Sequence, residues 1–339
     1  MKIVFADGCA SYYSFLDHDD SELANTFPSN CSLNIFGKSI ITNNIETLNS
    51  LYNIEKIVIP KTLSFLTSLI DSSFDIIIEE NIDNQSYKNF ANTNLATDVQ
   101  QSNYKSSNNE NKINNRNNSN QLQQIMISSN TNLIIPCNIL LGINPSTNNL
   151  EFQKFNYPWE FLDIVNNLLH CKIKDTIISN KSHIAKSSII EGPCIIEDDV
   201  VIDDFAKIKG PVYIGKGSFI GMGSLIRSSM LGNNTRIGFT CEIAKSYFAG
   251  YDRLSHHNVI LDSLIGKNVW MGGYSGTANV LLNQNNVRYK LDGQLIDTGR
   301  VHFGSVVSNN SSIGASVIIL PGRKVPTNSV IPAGTIYQK

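Results

Sequence analysis

The sequence predicts two linked architectures, an α/β domain with a Rossmann-like parallel sheet over residues 1–172 and a parallel β-helix over 173–339. Three observations carry this. Strand-like runs alternate with helical stretches in the first part of the chain. Isoleucine stands at 178, 184, 190, 196, 202, 208, 214, 220 and 226, a strict six-residue period. Glycine often follows the periodic residue, as at Gly215, Gly221, Gly238, Gly266 and Gly314. A length of 339 residues suits two domains.

In the first domain, the candidate strands are Lys2–Ala6, 54–60 and Asp75–Glu79, with a helical or mixed stretch over 39–52 between them. Residues 95–130 are dominated by Asn, Ser and Gln. Such a segment buries too little apolar surface to offset its ordering entropy, so a long insertion without regular structure is expected there. Strands resume at 133–136 and 139–142, and PWEFLDIVNNLLH (158–170) has the spacing of an amphipathic helix.

The six-residue period fits neither a helix, which needs 3.6, nor a single strand, which needs 2. It fits coils with three short flat faces, one aliphatic per face pointing to the axis and a small residue at each corner. The phase slips by one near Leu231, resumes at Ile237 and Ile243, is kept at Leu254 and Ile260, slips again at Ile265 and continues at Met271. Val307, Ile313, Ile319, Val325 and Ile331 restore it after an interruption. That interruption, 278–303, is too long for a corner and must leave the coils as a loop or small hairpin, a usual place for function.

Composition narrows the function classes. The 27 basic and 29 acidic residues leave a net charge of −2, which argues against a nucleic-acid partner. No apolar run approaches the roughly 20 residues of a membrane helix, and MKIVFADG is unlike a secretory leader, so no membrane partner is expected. The six cysteines form no CxxC pair, which predicts a reducing, cytoplasmic setting. The pairs Asp198–Asp199 and Asp203–Asp204 read as solvent-facing corners rather than as a metal site.

The stretch HHNVILDSLIG (256–266), with Glu242 before it and GGYSGTAN (272–279) after it, resembles the C-terminal half of the bifunctional sugar-1-phosphate nucleotidyltransferase/acetyltransferases. IDTGR (296–300) and SSIGASVIILPG (311–322) resemble the archaeal members. The resemblance implies a left-handed β-helix that trimerises and transfers an acetyl group from acetyl-CoA to an amino-sugar 1-phosphate. It places His256 on the family's catalytic histidine, Glu242 on its active-site glutamate and Asn279 on its substrate-binding asparagine. The family tyrosine is Val259 here and a family lysine is Ala244, with Lys245 adjacent. A lysine of the long loop is Asn285, with Arg288 nearby.

The first domain is similar to the family's nucleotidyltransferase half through NIFGKSII (34–41), LYNIEKIVI (51–59) and YPWEFLD (157–163). Its chemistry is missing. ADGCASYYSFLDHDD (6–20) lacks the Gly-rich loop, and Ser29 and Asn30 stand near the family lysine. DIIIEEN (75–81) lacks the Gly-Asp that would hold Mg²⁺. A degenerate domain without Mg²⁺ is the expectation.

Acetyl transfer to an amine needs a base, a held thioester and a donor for the oxyanion. An imidazole, ordinarily titrating near pH 6.5, suits the first task. His256 is the candidate base, and Glu242 either orients it or binds the amine. Gly272, Gly273 and Ser275 are candidates to receive the thioester oxygen and pantetheine arm, and Arg323 and Lys324 to meet the CoA phosphates. Lys245, Arg288 and Asn279 are the candidate substrate contacts. Two alternatives stay open: a sugar-1-phosphate nucleotidyltransferase, and a non-catalytic scaffold or regulatory homologue that binds a sugar nucleotide.

Overall fold

A computed structural model describes residues 2–6, 34–51, 54, 56–60, 75–79, 123–125, 132–136, 139–143, 150–155, 157–291 and 294–338. They fall into two compact units. In the first, four strands form a parallel sheet in the order Asp75–Glu79, Lys56–Pro60, Lys2–Ala6, Asn132–Pro136. This is the parallel sheet that the alternation of strands and helices predicts. Helix α1 (Ile40–Leu51) buries Ile40, Ile41, Ile45 and Leu48, an apolar stripe at helical spacing. Gln123–Ile125, Leu150–Lys154 and Ile139–Ile143 make a separate antiparallel sheet. Apart from 123–125, the Asn-rich segment 95–130 lies outside the described residues, as do Ser29, Asn30 and the stretch after the first strand.

The second unit begins at Phe155 and takes in the hairpin Asn34–Ile35/Lys38–Ser39, so its limits differ from the expected division at 172/173. Its body is a left-handed parallel β-helix with three faces of eight strands each. Face 1 starts at Ile177–Ile178, face 2 at His183–Ile184 and face 3 at Ile189–Glu191. Each strand pairs in parallel with the strand one coil on, as in Ile184↔Ile202 and Ile202↔Ile220. The inner residues stack into ladders, and Ile208, Ile214, Ile220, Ile226, Ile237, Ile243 and Ile260 are wholly buried.

The slips in the period have a structural cause. In the first coils, corner 3, which leads from face 3 back to face 1, is turned by Gly192–Pro193 and Gly210–Pro211. In the next three it is one residue shorter. Ser228, Lys245 and Asp262 take left-handed backbone conformations there, with φ between 45° and 48°. Each is followed by a buried serine. Ser229 Oγ accepts from Ser246 N (3.1 Å), Ser246 Oγ from Ser263 N (3.1 Å) and Ser263 Oγ from Ser305 N (3.0 Å). The same hydroxyls donate to the carbonyls of Arg227, Ala244 and Leu261, so the tightened corner leaves these groups satisfied. The inward residue after Ile243 is therefore Phe248, and the period slips at Phe248 as well as at Leu231 and Ile265. Keeping phase from Ile243 to Leu254, as the sequence reading does, misses that middle slip.

Face 1 is covered by its own chain. Helix α2 (Pro158–Lys172) starts at Tyr157, whose N–H donates to Glu160 Oε2 (3.2 Å), with Pro158 at the first turn. It lays Phe161 edge-on against Tyr247 (5.1 Å), while Phe36 of the hairpin packs against Tyr213 (5.4 Å). The interruption forms an antiparallel hairpin, Arg288–Leu291 with Gln294–Asp297, and the bridge Val280↔His302 closes its base. Tyr289 and Phe303 from this excursion pack around Trp159 of α2, and Arg300 pairs with Asp163. Among the described residues faces 2 and 3 carry no such cover: Trp270 (46%) and Val259 (42%) keep much of their surface exposed. Among the described residues no helix is long and apolar enough to cross a membrane.

Candidate active site

Corner 2, between faces 2 and 3, carries His256. The coil arriving from Leu254 turns through Ser255, His256 and His257, the last with φ 54°. Neighbouring coils stack closely here because small residues precede the turn. A Cβ on Gly238 would lie 1.5 Å from Ser255 O. His256 Nδ1 accepts from Phe239 N at 3.4 Å. While that bond holds, the proton of a neutral ring sits on Nε2, so accepting a proton through Nε2 requires a change of tautomer. His257 stacks on Tyr274 (4.8 Å) and meets the edge of Phe239 (5.3 Å), fixing the corner beside His256.

One coil further along the same corner lie Gly272, Gly273 and Ser275. Gly272 N donates to Ile313 O and Ser275 Oγ to Gly314 O, so both are committed to the next coil. Gly273 N donates to no described acceptor, while His256 O accepts from Tyr274 N (2.8 Å). Ser275 N also donates to no described acceptor but is buried, so of the three expected oxyanion donors Gly273 is the one whose uncommitted N–H belongs to a partly exposed residue.

Glu242 opens a strand of face 3, opposite Val259 of the next coil. Its carboxylate is held by Arg227, with Nη2 at 2.8 Å and Nε at 3.2 Å. Among the described residues no hydrogen bond joins it to His256, so in this chain Arg227, not the imidazole, is its partner. Arg227 is absent from the sequence expectations. Its signal is the shortened coil, which sets residue 227 diagonally across from 242 on one face. At corner 3 Lys245 is exposed, and Asn279 Nδ2 donates to Asp262 Oδ2 (2.6 Å). His256 and this second group thus flank the outer surface of face 3. Three residues of strand separate its two edges, about 10 Å.

Arg288 and Arg323 are brought together elsewhere, at a cavity of about 620 Å³ between the excursion and the last coil. Lys324 is in the face 1 strand Arg323–Val325. The early acidic corners are tied up locally. Asp198 binds Lys181 (2.7 Å) and Ser179, which hold its carboxyl below the usual range, and Asp204 accepts from Ser187. Among the described residues no three His, Cys, Asp or Glu side chains cluster as a metal site.

Residues 193–228 match the family model described as bacterial transferase hexapeptide (six repeats). The bifunctional protein GlmU of Methanococcus aeolicus is 37% identical over 180 residues, 53% of this chain and 43% of that protein. A bifunctional sugar-1-phosphate nucleotidylyltransferase/acetyltransferase of Sulfurisphaera tokodaii is 26% identical over 111 residues, 33% of this chain and 28% of the relative. A solved UDP-N-acetylglucosamine acyltransferase aligns with TM-score 0.26 and 15% identity, over 47% of this chain and 70% of that one. The chain spans less than half the length of these two curated relatives. The chain carries a hexapeptide-repeat segment and is similar over part of its length to the archaeal bifunctional sugar-1-phosphate nucleotidyltransferase/acetyltransferases.

Proposed function

We propose that the β-helix is an acetyl-CoA-dependent N-acetyltransferase acting on an amino-sugar 1-phosphate, as a homotrimer in the cytoplasm, and that the first domain is a degenerate nucleotidyltransferase. The observation that carries this reading is the pairing, on adjacent coils of one open corner, of an imidazole with an uncommitted backbone N–H, His256 with Gly273. The acceptor enters as the free amine, and His256, with its own ring proton moved to Nδ1, takes one proton from the attacking nitrogen through Nε2. The amine nitrogen adds to the thioester carbonyl, and Gly273 N–H meets the negative oxygen that forms. Collapse of that intermediate breaks the C–S bond, and the coenzyme A thiolate takes up the proton held by the imidazole.

Asn279, Lys245 and Arg288 are assigned to the acceptor, and Gly272, Gly273, Ser275, Arg323 and Lys324 to the acyl donor. Glu242 fits a role on the acceptor amine through face 3 better than one on the imidazole, given its ion pair with Arg227. Exposed apolar groups on faces 2 and 3, among them Val201, Val259 and Trp270, support packing against further copies. The described thiols of Cys171, Cys194 and Cys241 are unpaired, in keeping with a reducing compartment.

Turnover of acetyl-CoA with glucosamine 1-phosphate or galactosamine 1-phosphate tests the reading. His256→Ala is expected to lower the rate by roughly 10²-fold or more. Equal turnover by the variant would remove His256 from the mechanism. The Arg227–Glu242 pair also favours a second reading, a non-catalytic homologue whose glutamate is locked by its own chain. Absence of turnover together with retained sugar-nucleotide binding would select it.

A further inference from the structure

Asn258, two places after His256, departs from the ladder it stands in. Where corner 2 runs into face 3, successive coils place Ser224, Cys241, Asn258, Ser275 and Val317, all buried. Where serine holds this place, its hydroxyl makes two bonds to the next coil. Ser224 Oγ donates to Gly238 O (2.8 Å) and accepts from Cys241 N (2.9 Å). Ser275 Oγ likewise donates to Gly314 O (2.7 Å) and accepts from Val317 N (3.3 Å).

Asn258 keeps the first bond and reverses the second. Its Nδ2 donates to Gly272 O (2.8 Å) and to Ser275 O (3.0 Å), so Ser275 N is left with no described acceptor. Both partners are carbonyls, which sets the nitrogen end of the amide toward the next coil. Its Oδ1 faces back and accepts from Cys241 Sγ (3.8 Å).

Those two carbonyls bracket the turn that carries Gly273. Between them stand only Gly273 and Tyr274, and Tyr274 N donates to His256 O (2.8 Å). A single buried side chain thus ties the turn of the oxyanion donor to the coil of the imidazole. The backbone bond beside it is slack. Val259 N reaches Ser275 O at 3.3 Å, whereas Glu242 N to Asn258 O and Gly276 N to Val317 O, on the coils either side, are both 2.9 Å. The longer asparagine side chain therefore acts as a spacer where serine would draw the coils together.

We propose that Asn258 is a positioning residue, which sets the separation of His256 from the Gly273 N–H by holding the carbonyls on both sides of that N–H. The inference rests on the acetyl-transfer reading and adds to it a residue that touches neither substrate. An oxyanion donor works over a narrow range, roughly 2.7–3.1 Å from the developing charge, so a small change in this spacing bears on the chemical step.

The test uses the residue that the fold itself places in this ladder. Asn258→Ser can form the ordinary pair of bonds, to Gly272 O and from Ser275 N, so its thermal midpoint should stay close to that of wild type. With acetyl-CoA and whichever amino-sugar 1-phosphate is turned over, its kcat should fall about tenfold and its KM values change less than about twofold, as when an interaction is lost in the transition state alone. Ser224→Ala is the matched control: it removes the same class of bond two coils away, and should lower the midpoint while keeping kcat within about twofold of wild type. Should Asn258→Ser also lose stability, the two variants are compared at equal distances below their midpoints. Equal falls in kcat, or a loss carried by KM, would make Asn258 structural and overturn the proposal. So would wild-type kcat in Asn258→Ser beside an inactive His256→Ala, a result that leaves the acetyl-transfer reading standing. No turnover by wild type, or equal turnover by His256→Ala, removes that reading and this inference with it.

Discussion

Face 1 and corner 2 solve opposite problems on the same coil. Face 1 turns its outward side chains into a second core: Tyr213, Met230, Tyr247, Leu264 and Val306 are buried under helix α2, the hairpin at Asn34–Ser39 and the excursion. Corner 2 has no layer over it from the described chain. It replaces bulk with glycine, so that one coil's backbone lies directly on the next, and leaves His256 and the Gly273 N–H at the surface. The large side chains thus sit where the described chain lays something over them, and the proposed chemistry sits where it does not. On that reading stability and function fall on different sides of one prism.

The contrast can be broken first at corner 2. Gly238→Val puts side-chain atoms where Ser255 O already stands, so the coils must part. A loss on the order of 4 kcal/mol or more is expected, at the extreme of single-residue effects, read as a fall in thermal midpoint or failure to fold.

A matched pair of substitutions compares the faces directly. Tyr247→Ala on face 1 removes a wholly buried ring and its contact with Phe161, and should cost about 3–5 kcal/mol in denaturant titration. Val259→Ser on the uncovered face 3 should change the stability of the single chain by less than about 0.5 kcal/mol. Its expected effect is on assembly, a shift toward monomer in light scattering. An unchanged oligomer would take face 3 out of the subunit contact.

Asp252 sharpens the comparison more gently. It occupies the ladder position that Thr235 and Ser218 fill one and two coils earlier. Burial raises its carboxyl well above the usual carboxylate range, against the pull of the N–H groups of Val269 (2.9 Å) and Gly250 (3.1 Å). The folded protein keeps this proton at pH values where the unfolded chain, titrating near 4, has already released it. This group's contribution is therefore most favourable below about pH 4 and weakens as pH rises, until the folded-state carboxyl itself ionises. Asp252→Thr should flatten that slope and add about 1–3 kcal/mol at pH 8, measured as unfolding midpoints across pH. A slope identical to wild type would mean that the buried carboxyl titrates as an ordinary one.

Much of this was legible before any coordinates. The six-residue isoleucine period implied three short faces per coil, and the five expected first-domain strands and both helices fall within two residues of their expected limits, whereas Leu150–Lys154 and Gln123–Ile125, the latter inside the segment expected to lack regular structure, were not foreseen. The middle slip was also written in the chain, as Lys245–Ser246 where Gly210–Pro211 had turned the same corner, but it is an aromatic, Phe248, that takes the inner place there. The Arg227–Glu242 pair rests on the first slip, before Leu231, which the period does show: which side chains meet across coils depends on whether a turn takes 17 or 18 residues, and here it takes 17. The sharing of one cavity by Arg288 and Arg323 could not be read, because it depends on how the excursion folds back over Gly322.

Because each coil pairs in register with the next, separations along the axis come in steps. Every added coil lengthens the prism by about 4.8 Å, the spacing between hydrogen-bonded strands. His256 precedes a face 3 strand of the fifth coil, and Arg323 opens the face 1 strand of the eighth. Duplicating or deleting one whole turn between them would move imidazole and guanidinium apart or together by one such increment while leaving every ladder intact. The β-helix is a ruler with fixed graduations, on which the reach of a ligand can be set by counting turns.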